Sequence, residues 1–140
     1  MRNLDRSLGD GGMPLLAALG LHFDEYGEGW VRATWTPTEL ACNPAGVVHG
    51  GVYGVVHDAA MNFATSAALE SGDRCVTLDV GYATMRPAAA GDDLHVHGEV
   101  LHVSRSIAYT QCTISGGEDR QISKGQATFA LRRKAPAPPR

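Results

Sequence analysis

Cysteine is scarce in this chain of 140 residues: Cys42, Cys75 and Cys112 are the three present, widely spaced and without a CxxC pair. That excludes a disulfide framework and a zinc knuckle, and it points to a reducing, cytoplasmic setting. A basic excess is also missing. Twelve Lys and Arg stand against fifteen Asp and Glu, a formal net charge of −3, which provides no electrostatic footprint for nucleic acid. Residues 1–12 carry charges and no apolar h-region, so no secretion signal is read there. Neither an internal repeat nor a second domain is visible, and the length suits one domain with one core.

What is present divides into a flexible N-terminus (1–12), a single domain (13–133) and a Pro-rich tail (134–140) expected to be disordered. Met13 to Leu19 reads as a short helix. His22 to Tyr26 and Trp30 to Trp35 read as a hairpin around Gly27-Glu28-Gly29. Four more strands follow, over Cys75 to Met85, Asp93 to Val103, Ile107 to Ser115 and Gln121 to Leu131, separated by Gly, Pro, Ser and Asp clusters. Alternation in Val31/Ala33/Trp35, Leu78/Val80/Tyr82 and Ala127/Phe129/Leu131 predicts one apolar face per strand. The order β-β-α-β-β-β-β is that of an α+β sheet wrapped around one helix.

That helix is the stretch from His49 to Leu69, nearly uncharged and apolar on all sides. Such a helix must be surrounded by other structure. Its length alone would allow a membrane span, but His57, Asp58 and Asn62 lie within it, and a charge at mid-membrane costs about 2.5 to 3.5 kcal/mol. No membrane role is therefore read. His95, His97 and Glu99 alternate on one strand face; a solvated face is the reading, with no metal site.

The run Asn43-Pro44-Ala45-Gly46-Val47-Val48-His49-Gly50-Gly51, the acid Asp58 nine residues after the histidine, and the segment from Thr77 to Ala88 together resemble the hotdog-fold acyl-CoA thioesterases, in particular the phenylacetate-degradation (PaaI) type of the 4-hydroxybenzoyl-CoA thioesterase superfamily. The resemblance covers roughly residues 15–131. It implies a hotdog homodimer with active sites at the interface, often paired into a dimer of dimers, that hydrolyses the thioester of an acyl-CoA. Coenzyme A is part of that substrate, so no cofactor is implied.

Elementary chemistry points the same way. Amides at a helix start lack intrahelical acceptors and lie at the positive end of the dipole, so Gly50 and Gly51 form an oxyanion site, with Asp58 as nucleophile or general base. Eight residues of helix separate Gly50 from Asp58, about 12 Å of rise. Both cannot reach one carbonyl, and two antiparallel copies of the helix resolve this by joining Gly50 of one chain to Asp58 of the other. The resemblance adds Asn43, His49 and Thr77 as residues around the carbonyl and the attacking water. Asn62 and Thr65 follow Asp58 on its side of the helix, and Asn62, Tyr53, Met61 and Phe63 are the expected acyl-pocket residues. His57 is expected to face elsewhere, toward a dimer contact or the sheet edge. Arg86 and Arg105, with Lys124, Arg132 and Arg133, are candidates for the CoA phosphates. A hotdog hydratase or dehydratase and a non-catalytic acyl-CoA binder are the alternative readings.

Overall fold

The computed structural model describes residues 2–135. The expected elements form with small shifts of boundary. α1 (Pro14–Leu19) begins on a proline and ends at Gly20, whose φ of 91° is the left-handed conformation that terminates helices. β1 (Leu21–Gly27) and β2 (Trp30–Trp35) form the hairpin; α2 (Gly50–Ala67) follows, then β3 (Arg74–Thr84), β4 (Leu94–Val103), β5 (Ile107–Ser115) and β6 (Gln121–Arg132). All pairings are antiparallel, in the order β1-β2-β4-β5-β6-β3, and α2 touches every strand. This is the α+β hotdog arrangement, and no helix among the described residues is long and apolar enough to cross a membrane.

Two strand glycines set how deeply α2 sits. A Cβ on Gly98 would lie 2.8 Å from the Ala60 carbonyl oxygen, and one on Gly125 would lie 2.9 Å from the His57 ring. The inner face of α2, through Tyr53, Val56, Ala60, Met61 and Ala64, thereby reaches a core of Val31, Trp35, Val96, Ile114 and Phe129. Trp35 adds an indole hydrogen bond to the Leu19 carbonyl at 2.9 Å. The helix is not enclosed all round, however. Val52, Val55, Ala59, Asn62 and Ser66, spaced three and four residues apart, form a stripe that is only half-buried.

Three further expectations change. The face predicted from Leu78, Val80 and Tyr82 does not form, because a β-bulge between Thr77 and Asp79 breaks the alternation. Cys75, Thr77 and Val80 turn inward while Leu78 is exposed on an edge strand. Residues 2–12, expected to be flexible, are instead fastened: Gly9 and Phe23 exchange two backbone hydrogen bonds, and the Leu4 amide donates to the Tyr26 hydroxyl at 2.7 Å. Lys134, read as the first tail residue, donates its backbone amide to Asp73 at 2.7 Å. That amide, with Arg133 and the Glu70 amide, holds the Asp73 carboxyl below the usual carboxylate range. Residues 136–140 of the expected tail lie outside the described residues.

Gly98→Ala should destabilise the protein by about 1 to 3 kcal/mol, since helix backbone rather than a flexible side chain must yield. Urea unfolding measures this, and an unchanged midpoint would mean that α2 is not seated on β4 as described.

Candidate active site

Asp58 lies half-buried on α2, and the Thr77 hydroxyl of β3 donates to its Oδ1 at 2.8 Å. That hydroxyl faces inward in step with Cys75, on the stretch of β3 that precedes the bulge. With Oδ1 engaged, Oδ2 is the oxygen left for chemistry. Asp58 forms no ion pair among the described residues.

The loop before α2 is organised by Asn43. Its Oδ1 accepts the amides of Ala45 and Val47 at 3.0 and 3.2 Å, an Asx-type turn that shapes the approach to the helix. His49 is the helix N-cap, with Nδ1 accepting the Gly51 amide at 3.1 Å. This corrects the expected pair of oxyanion donors: the Gly51 amide is occupied. The Gly50 amide donates to no group among the described residues, and the space beside its Cα is open.

Tyr82, which the sequence reading treated only as a strand residue, ties the two halves of the site together. Its hydroxyl donates to the Gly50 carbonyl at 2.9 Å and its ring lies over Gly54, where a Cβ would approach to 2.8 Å. A glycine four residues into an apolar helix was the available signal.

His57 does not face a dimer contact. It is fully buried against β6, its Nε2 lying 2.8 Å from Ser123 Oγ. Ser123 donates its own proton to the Ala83 carbonyl at 3.0 Å, so His57 Nε2 carries the hydrogen and Nδ1 is left unpartnered. Burial lowers its pKa from 6.5 to about 4, which keeps the ring neutral.

The remaining candidates separate. Tyr53 and Met61 belong to the core, Tyr53 edge-on to Trp35, and do not line an accessible site; Phe63, packed against Phe23 and Tyr26, does line the pocket beside Asn62. Thr65 is buried and donates back to the Met61 carbonyl. Asn62 does line a pocket, with Ala59 and Ser66, between α2 and the N-terminal segment. Arg86 donates to the Gln121 carbonyl, and Arg133 is held by Asp73 and the Ser104 and Arg105 carbonyls. Arg105, Lys124 and Arg132 remain as exposed cations. No group of three His, Cys, Asp or Glu among the described residues is placed to hold a metal ion.

Comparison with known proteins adds four findings. The family model described as "Thioesterase superfamily" matches residues 45–123. A Haemophilus influenzae protein named "Putative esterase" is 27% identical over 113 residues, covering 81% of each chain. Among solved structures, a Haemophilus influenzae thioesterase superposes with a TM-score of 0.83 at 24% identity, covering 94% of this chain and 91% of that one. The E. coli PaaI protein from the phenylacetic acid degradation operon superposes at 0.77 and 22%, covering 89% and 86%. The two superpositions establish the fold.

The buried histidine has a pH consequence. The unfolded chain takes up this proton below about pH 6.5 and the folded one only below about 4. Stability therefore rises with pH across that window, by roughly 3 kcal/mol at about 1.36 per pH unit. His57→Gln should flatten the slope between pH 4 and 6.5 relative to the parent; parallel stability profiles from urea unfolding would contradict a buried neutral ring.

Proposed function

Because the chain belongs to the thioesterase superfamily, we propose that it hydrolyses an acyl-CoA thioester with Asp58 as the catalytic carboxylate and the Gly50 amide as the oxyanion donor. The observation that carries this reading is the Thr77–Asp58 hydrogen bond, which fixes one carboxylate oxygen on a helix whose first amide is open. In the reaction, Asp58 Oδ2 takes a proton from water as the water oxygen attacks the carbonyl carbon; the negative oxygen is held by Gly50 N–H, and collapse expels the CoA thiol with that proton. Direct attack by Asp58 through an anhydride is the other form of the same assignment. Label from ¹⁸O-water found in Asp58 after a single turnover identifies the anhydride route, because only water attack at the Asp58 carbonyl of the anhydride puts it there.

Residues 50 and 58 are too far apart along α2 to share a carbonyl, and β3 supports a second copy as the solution. It is an edge strand with Val76 and Leu78 54% and 59% exposed. Asp58 is tied to its Thr77 end and Gly50 to its Tyr82 end. Antiparallel pairing of two β3 strands about an axis between Asp79 and Val80 would oppose Thr77 to the partner's Tyr82, and so Asp58 to the partner's Gly50. The half-buried stripe on α2 supports the same arrangement.

A hydratase needs a histidine facing the acid across the substrate. His57 is turned into the sheet and His49 Nδ1 caps the helix, so neither supports that reading. For the acyl group, the likeness to the PaaI fold and the apolar pocket beside Asn62 support a phenylacetate-type aromatic acid.

Free-thiol release from aromatic and aliphatic acyl-CoA esters is the test. Asp58→Asn should lower kcat by about 10² to 10⁴-fold. Gly50→Pro should cost about 10² to 10³-fold while leaving the fold intact, because proline suits the first helical position, the space there is open and His49 already has extended dihedrals. An equal mixture of the two variants should recover roughly a quarter of parental activity, half the dimers then holding one intact site of two. No turnover across the panel, or an active Asp58→Asn, would overturn the assignment; failure of exchanged mixtures to recover would overturn the shared site.

A further inference from the structure

A pocket of about 140 Å³ lies between α2 and the N-terminal segment, its apolar wall made by Leu4, Met13, Leu16, Phe23 and Phe63, with Asn62 also lining it. Asn62 is one helical turn from Asp58, about 6 Å along the axis and roughly 40° round it. The outer wall is the segment that sequence reading dismissed, and it is built in place. Gly11, at φ +68°, lies against the Phe23 ring at a distance that a Cβ would reduce to 3.0 Å. Tyr26 latches the wall to the floor: its ring packs on Phe63 at 5.5 Å, while its hydroxyl accepts the Leu4 amide and donates to Asp5 at 2.6 Å.

Volume decides what fits. An apolar cavity of about 150 Å³ lined by Leu, Ile and Phe takes up benzene, so one six-membered ring fills this half-open pocket and a second fused ring would have to extend past its wall. We infer that residues Leu4 to Met13, latched by Tyr26, are a specificity wall that restricts the acyl group to about the bulk of a single ring. The inference rests on the thioesterase reading for the identity of the ligand, and it concerns this chain's own N-terminal residues.

Binding tests it without turnover. Phenacyl-CoA and 2-naphthacyl-CoA, thioethers in which a methylene separates sulfur from the ketone, cannot be hydrolysed and differ by one fused ring. Calorimetry on the full chain should show the phenacyl analogue binding at least roughly tenfold tighter. The Leu4→Ala/Met13→Ala double variant should reduce that preference to less than about threefold, as extra room admits the second ring. Tyr26→Phe keeps the ring and removes only the latch, and it should relax the preference in the same direction; it serves if the double variant fails to fold. Ala59→Leu, which fills the pocket from the helix side, should weaken the phenacyl analogue roughly tenfold. Equal affinities in the parent, no binding of either analogue, or an unchanged preference in folded wall variants would overturn the wall. Size-selective binding without hydrolysis of phenylacetyl-CoA would overturn the thioesterase reading and leave the wall standing; hydrolysis without size selection would do the reverse.

Discussion

The depth at which α2 lies in the sheet is the constraint on which the rest depends. Gly98 lets β4 approach the helix carbonyl at Ala60, and Gly125 lets β6 approach the His57 ring. Interiors pack at crystal-like density, so these approaches fix the helix in translation and rotation rather than merely burying it. Rotation is the functional quantity. A turn of α2 by one residue, about 100°, would carry Asp58 away from Thr77 and bring a neighbour into the sheet. Two missing side chains on strands thus determine where a carboxylate points on the helix between them.

Periodicity made most of this fold legible. Six strands, their turns and a central helix follow from alternation, Gly and Pro punctuation and an unbroken apolar run, and the boundaries observed differ from those read by a residue or two. Asp58 was legible as a lone acid on a buried helix. Thr77 was legible only by its place in a family pattern, because the bulge that follows it breaks the alternation of β3 and leaves no composition signal at Leu78. A bulge is a mismatch between two strands, and one strand's sequence does not contain its partner's register.

The misreadings share a cause. Gly51 was paired with Gly50 because both begin the helix, yet the side chain of the residue just before them already accepts the Gly51 amide. Arg133 was offered as a free cation, but Asp73, distant in sequence, holds it. Tyr53 and Met61 were given to the pocket because a helix apolar all round does not announce which apolar side meets the core. In each case the missing information was a contact partner, and the N-terminal segment is the same case at larger scale. Its Gly9, Gly11 and Gly12 all take positive φ, the backbone geometry that lays the chain against β1 and α2.

Adjacent positions on α2 show how a reactive acid is kept in a packed helix. His57 and Asp58 are consecutive, and a protonated imidazole beside the carboxylate would pair with it and occupy it. The helical step of about 100° separates the two side chains, sending one to Ser123 and the other to Thr77. Burial does the rest by holding His57 neutral down to about pH 4. Its Nε2 hydrogen goes to Ser123, whose own proton goes on to the Ala83 carbonyl, so the chain of donors runs away from Asp58 into the sheet. Among the described residues the carboxylate is then left with a single hydroxyl donor and no cation, oriented by Thr77 but not neutralised. An arginine or lysine in Thr77's place would orient the carboxylate equally well, and would compete with water for the oxygen that the proposed hydrolysis requires.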